Sequence, residues 1–184
     1  MIRYARPADH AGIEAVEAAA FGRQDEAALV ARLRADEDAL FEMVAEEDGE
    51  IVGHIFFSRL WADRFELYGA LAPLAVRPDR QGQGLGGKLV RTGLDGAREF
   101  GCYGVLVLGD PAYYGRFGFS AETAKAVTAP YRGLAAFQAL ALEDNAFAGP
   151  MSVSYPNAFG CGVTRAWQAG RLDRRPFPSP PGCR

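Results

Sequence analysis

The chain has 184 residues, 49% hydrophobic and 23% charged, with a net charge of −3. This is the composition of one globular domain that buries roughly 70% of its unfolded surface, and the charge gives no pull toward nucleic acid or an anionic membrane. Arg3 and Arg6 stand where a signal peptide needs an apolar stretch, and no apolar run is long enough to span a bilayer. Three scattered cysteines and two lone histidines fit neither a disulfide framework nor a zinc site, so the chain reads as cytoplasmic and metal-free.

In chain order, Ile2–Arg6 predicts a first strand ended by Pro7. Asp9 is placed to cap a helix with Ile13, Val16 and Ala20 on one face. A second helix runs through Glu26–Arg34, and Phe21–Gln24 is the mobile connection between the two. From Phe41 the texture turns to strand. Phe41–Glu46 and Ile51–Arg59 flank Asp48-Gly49, a strong hairpin signal, and Trp61–Arg64 turns the chain into a strand from about Phe65 to Val76. A helix carrying Leu85, Leu89, Leu94 and Ala97 follows and is closed by Gly101. Val105–Leu108 is the continuous apolar run of a buried parallel strand, and Asp110-Pro111 supplies a helix cap and first residue. Phe137–Leu142 and Met151–Tyr155 read as two more strands, and residues 171–184, rich in proline and arginine, as a surface-hugging or disordered tail. Residues 1–170 thus form one mixed α/β domain: antiparallel strands first, then a central parallel pair joined by a helix.

The stretch Arg77-Pro78-Asp79-Arg80-Gln81-Gly82-Gln83-Gly84-Leu85-Gly86-Gly87-Lys88 separates strand from helix. Glycines at a helix N-terminus leave backbone N–H groups converging on one point with the helix dipole behind them, which suits a phosphate or pyrophosphate. A side chain there would block the anion or forbid a positive φ. The bland alternative is a flexible surface loop. Gly82-x-x-x-x-Gly87-Lys88 matches the start of a P-loop, but Leu89 stands where the magnesium-binding hydroxyl belongs. Gly82-x-Gly84-x-x-Gly87 matches a dinucleotide fingerprint, yet five residues separate it from the strand end and antiparallel strands precede it.

Gln81-x-x-Gly84-x-Gly86, following a Val76-x-Pro78 strand end, resembles the pyrophosphate motif of the GNAT superfamily of acyl-CoA N-acyltransferases. Tyr114-Gly115-Arg116-Phe117-Gly118-Phe119 resembles that family's Tyr-x-x-x-Gly-Phe element, with Gly118-Phe119 opening the next strand. The resemblance is strong over about 65–120. It implies a GNAT-like mixed sheet whose central parallel strands splay apart, and acetyl-CoA as cosubstrate. Its cofactor site would be Leu74, Ala75 and Val76 along the pantetheine, with Gln81, Gly82, Gln83, Gly84, Leu85, Gly86, Gly87 and Lys88 at the pyrophosphate. Pro73, which lacks an N–H, would help part the strands, and an N–H near Val76 would polarise the acyl carbonyl.

By the same resemblance Tyr114 protonates the departing thiolate, with Tyr113 as the rival and a merely packed tyrosine as the alternative. The reaction implied is direct attack by an amine in a ternary complex. The base that frees the amine stays open among Glu66, Asp110, His54 and a water chain, with Asp110 equally a helix cap. Cys102 reads as a packed residue rather than a nucleophile. The acceptor site is expected around Phe21–Gln24, the end of the Ile51–Arg59 strand and residues 123–135. A small amine, an amino acid, a protein N-terminus or an antibiotic all fit. A homodimer is possible, and a non-catalytic CoA-binding sensor or interaction domain of the same fold is the second function class.

Overall fold

The computed structural model describes residues 1–160. The expected tail, the domain limit at 170, Cys161 and Cys183 lie outside them. The elements are β1 (Ile2–Tyr4), α1 (His10–Phe21), α2 (Asp25–Ala35), β2 (Ala39–Glu47), β3 (Glu50–Ala62), β4 (Leu67–Val76), α3 (Leu85–Glu99), β5 (Cys102–Leu108), α4 (Pro111–Tyr114), β6 (Val127–Thr128), β7 (Phe137–Ala141) and β8 (Met151–Ser154).

The sheet runs β1-β2-β3-β4-β5-β7, and β8 pairs with the end of β3 and with β6. Along the main path every pair is antiparallel except β4–β5, which is parallel. The mixed α/β fold with its central parallel pair is therefore the one the sequence implied.

Several local expectations are corrected. Trp61 and Ala62 do not turn the chain but extend β3, because they pair with Ser154 and Val153 of β8. Phe119 opens no strand; the contact beside it is a single bridge from Ser120 to Ala139. Asp9 makes no side-chain cap on α1. Its carboxylate instead takes Arg3 Nη1 at 2.6 Å, Arg3 Nη2 at 2.9 Å and the Arg6 N–H at 2.7 Å, tying β1 to the helix start.

The period of two along β3 divides the core. Ile55 and Phe57 pack with Leu89, Val90 and Leu94 of α3, while Phe56 packs under Leu29, Val30 and Leu33 of α2. Gly93 lets α3 come close, since a Cβ there would sit 2.6 Å from Phe57 Cε2. A third cluster joins Leu60, Tyr68 and Leu106 to Tyr131, Phe137 and Met151.

The feature that positions the site is a parting of strands. Parallel pairing of β4 with β5 covers only Leu67–Leu71. Just beyond, two residues of β4 face one of β3 (Leu71 is opposite Phe57 and Leu74 opposite Ile55), so Ala72 and Pro73 form a bulge against Phe56. Pro73 has no N–H to give the ladder. From Leu71 to Val76, about 17 Å of strand at roughly 3.3 Å per residue, β4 runs on without β5.

Candidate active site

The glycine loop lies at the end of that free segment. Gly82 and Gly84 have φ of +74° and +82°, which a side chain would strain. The first bond of α3 is Lys88 N–H to Gly84 O at 3.1 Å. The N–H groups of Gly82, Gln83, Gly84, Leu85, Gly86 and Gly87 have no acceptor among the described residues. Free N–H groups at a helix N-terminus are the groups that suit an anion. Gly86 is required by space: a Cβ would stand 2.7 Å from the Tyr113 hydroxyl and 3.6 Å from Val76 Cγ2.

The loop is braced. Gln81 Nε2 donates to Val76 O at 2.9 Å and Gln83 Nε2 to Asp79 O at 3.1 Å, so both amides hold the backbone in shape. Arg77 bridges Asp79 and Glu50, and Arg80 reaches Glu47, fastening the loop to the β2–β3 hairpin. Lys88 is exposed, Leu85 half-buried. Ala75 is buried, with Leu74 and Val76 half-buried beside it.

Asp110 caps α4, accepting the Ala112 N–H at 2.9 Å, and so fixes two tyrosines at the end of β5. Their rings meet edge to face at 5.0 Å. Tyr114 lies against Gly109, where a Cβ would be 2.3 Å from its Cε2, and edge-on to Phe119. Its hydroxyl makes no hydrogen bond among the described residues. Burial, with Tyr113 beside it, pushes the Tyr114 phenol well above its ordinary value. Tyr113 instead turns its hydroxyl to the first turn of α3, with Arg116 over its ring at 4.5 Å.

Gly109 and the arginines carried no signal that the sequence reading used. Gly109 is needed for the close approach of Tyr114. Arg91 and Arg116 both stack on Phe117, at 5.2 and 5.5 Å, and put positive charge beside the loop.

The base candidates separate. Glu66 is exposed and precedes β4, about 25 Å of strand from Leu74 at roughly 3.3 Å per residue. Asp110 is a cap. His54 is wholly buried, so a solvated role is excluded. Its Nδ1 lies 2.6 Å from Glu17 Oε1 and its Nε2 3.0 Å from Glu42 Oε2. Arg34 grips both oxygens of Glu42. Burial pulls the His54 imidazole down, but hydrogen bonds to both carboxylates overcome it and hold it above its ordinary value. Burial pushes Glu17 up. Glu42 is also penalised by burial, yet His54 and Arg34 bring it down to about 2. Cys102 is buried, its thiol pushed up to about 11 by desolvation alone, which suits a packed residue.

Of the segments expected around an acceptor, Val127 and Tyr131 do pack with Leu60 near the end of β3. The α1–α2 connection is held separately, by Arg23 gripping Glu26 at 2.7 Å. Among the described residues no helix is long and apolar enough to cross a membrane, and no cluster of three or more His, Cys, Asp or Glu could hold a metal ion.

Residues 10–119 match the model of the Acetyltransferase (GNAT) family. The chain is 44% identical over 129 residues to the uncharacterized N-acetyltransferase YjhQ of Escherichia coli, covering 67% of this chain and 71% of that one. It is 39% identical over 152 residues to the uncharacterized N-acetyltransferase YhbS of the same organism, covering 81% and 91%. The crystal structure of YhbS in complex with CoA superposes with a TM-score of 0.81 at 37% identity, covering 86% of this chain and 91% of that one. A GNAT acetyltransferase of Brucella melitensis in complex with acetyl-CoA gives 0.72 at 38% identity, covering 86% and 97%.

Proposed function

The chain belongs to the acetyltransferase (GNAT) family, and from that membership we propose direct transfer of an acetyl group from acetyl-CoA to a primary amine, with Tyr114 as the acid. The observation that carries this reading is the unpaired flank of β4 beyond Leu71 ending at a loop of unbonded N–H groups. The pyrophosphate of CoA fits the amides of Gly82 to Gly87, with Lys88 alongside. The pantetheine amides fit the free backbone of Leu74–Val76 as an added strand would.

The amine nitrogen attacks the thioester carbonyl, the N–C bond forms, and the C–S bond breaks as Tyr114 gives the sulfur a proton. A free thiol has a pKa of roughly 8.5 and a phenol roughly 10. Burial lifts Tyr114 further, so it stays neutral at working pH and ready to donate. Its open hydroxyl at the end of β5 supports this role over Tyr113, whose hydroxyl faces the phosphate loop.

Calorimetry with acetyl-CoA, CoA, ATP and NADH, followed by CoA release against an amine panel, tests the reading. Both CoA species bind and the two nucleotides do not. Tyr114→Phe lowers kcat about 10²–10⁴-fold, the usual worth of a proton donor, without changing acetyl-CoA affinity. Tyr114→Phe at wild-type kcat would remove the acid role, and turnover with no amine would leave a CoA-binding module.

A further inference from the structure

Acetylating an ammonium group requires a proton acceptor, and β4 carries no carboxylate, imidazole or amine anywhere along Leu67–Val76. Its one titratable group, Tyr68, donates its hydroxyl to Ala146 O at 2.6 Å. The acceptor must come from another element, and the oxygens of the buried carboxylates identify it.

Asp9 gives both oxygens to Arg3. Glu26 gives both to Arg23. Glu42 gives both to Arg34 and shares one with His54. Glu17 gives Oε1 to His54, and its Oε2 is buried with no partner among the described residues. Two other buried polar atoms lack partners, Ser58 Oγ and the Tyr155 hydroxyl. Glu17, held through His54, and Tyr155 lie on the α1–α2 side of the sheet, beside the segment over which β4 parts from β5. His54 stands opposite Ala75, inside that segment, whereas Ser58 stands opposite Ala70, where β4 still pairs with β5. Tyr155 packs on the cluster that holds Phe56 and Ala72. Unsatisfied buried polar atoms are costly and rare, and a carboxylate oxygen left so beside the parted strand is placed to meet a polar ligand.

We propose, resting on the acyl-transfer reading, that Glu17 is the catalytic proton acceptor for the incoming amine and that His54, Glu42 and Arg34 position it. An alkylammonium reaches Glu17 Oε2 directly or through one water and leaves one proton there. The neutral amine attacks, Tyr114 protonates the departing thiolate, and the nitrogen's second proton restores the Tyr114 phenol as the tetrahedral centre collapses. The proton left on Glu17 passes to solvent once the products leave. Arg34, which grips Glu42, holds that carboxylate on His54 Nε2. Every charged group facing the imidazole is thereby counted: Glu17 from α1 and Glu42 from β2, with Arg34 and Glu26 of α2 one step behind. From β4 only Ala75 faces it.

The test compares two acceptors at pH 7. Ethylamine arrives protonated, since alkylamines hold their proton to roughly pH 10; hydroxylamine arrives neutral. Glu17→Gln keeps the shape and lowers CoA release with ethylamine about 10²-fold or more, while the hydroxylamine rate stays close to wild type. Equal loss with both amines, or loss with neither, overturns the assignment. If Glu17→Gln does not fold, His54→Asn carries the test: without the imidazolium Glu17 is harder to ionise, so the acid limb of the ethylamine pH profile moves up. An unmoved limb overturns the proposal. A wild-type protein that binds acetyl-CoA but releases no CoA with either amine overturns the acyl-transfer reading itself and the Glu17 role with it.

Discussion

The two faces of the sheet are polar in different ways. On the α3 face the core is apolar and the groups offered to a ligand belong to the backbone: the N–H groups of Gly82 to Gly87 and the free flank of β4. On the α1–α2 face they belong to side chains, a row of Glu17, His54, Glu42 and Arg34 drawn from four elements. A backbone site is fixed by where glycine and proline stand and is indifferent to pH. A side-chain row stands only while its charges balance. The comparison predicts that single substitutions hurt the two faces unequally.

The largest effect follows from unbalancing the row. His54→Leu leaves Glu17 buried without its cation, which costs about 3–5 kcal/mol, read as a lower urea midpoint. Glu17→Leu/His54→Leu removes the stranded charge, leaves Glu42 paired to Arg34, and recovers most of that loss. A double variant as unstable as the single would mean that packing, not charge, holds this face.

The same row gives the protein a pH dependence. His54 is raised above its ordinary value of 6.5 in the fold. A raised imidazole adds stability that is complete below that value and lost as pH rises through the folded one. Glu17, raised by burial, acts in the same direction over its own range, whereas Glu42, lowered from 4.5 to about 2, adds stability that fades as pH falls between those values. Urea midpoints therefore decline on the alkaline side of pH 6.5, and Glu17→Leu/His54→Leu flattens that decline. An unchanged slope would place the proton elsewhere.

On the α3 face the expected loss is smaller and concerns binding. Gly86→Ala pushes a methyl against the Tyr113 hydroxyl, an overpacking worth about 1–3 kcal/mol, so acetyl-CoA affinity falls roughly tenfold for each 1.4 kcal/mol. Tyr113→Phe removes the blocking atom, leaving Cζ 3.9 Å from the new Cβ. The double variant regains most of the affinity in calorimetry. No regain would mean that the methyl meets the ligand itself.

Backbone sites are legible in sequence because the residues that make them act locally. Gly82 and Gly84 take the positive φ, Gly86 the close approach, and Asp110-Pro111 starts its helix where the letters say. The side-chain row was not legible: His54 is 37 residues from Glu17 and 12 from Glu42, and a lone histidine has no local pattern to announce two carboxylates. The same limit hid the extra residues of β3 and the two-residue β6, whose pairing partner, β8, lies more than twenty residues away. The strand expected at Phe119 came instead from the resemblance to the family element, and a single Ser120–Ala139 bridge stands beside it.

Asp110 gives the smallest effect and bears most directly on the division between the faces. It is the one carboxylate on the β5 side close in sequence to Tyr114, and as a cap it works by accepting an N–H. Asparagine caps about as well as aspartate, while alanine at such a site costs about 1 kcal/mol. Asp110→Asn should keep wild-type kcat with a protonated amine. Asp110→Ala frays the four-residue α4, loosens Tyr114 against Gly109, and lowers kcat severalfold with little change in acetyl-CoA binding. Equal slowing of both variants would mean that the carboxylate is needed for its basicity, and the proton acceptor would then sit on the same side of the sheet as Tyr114 rather than across it at Glu17.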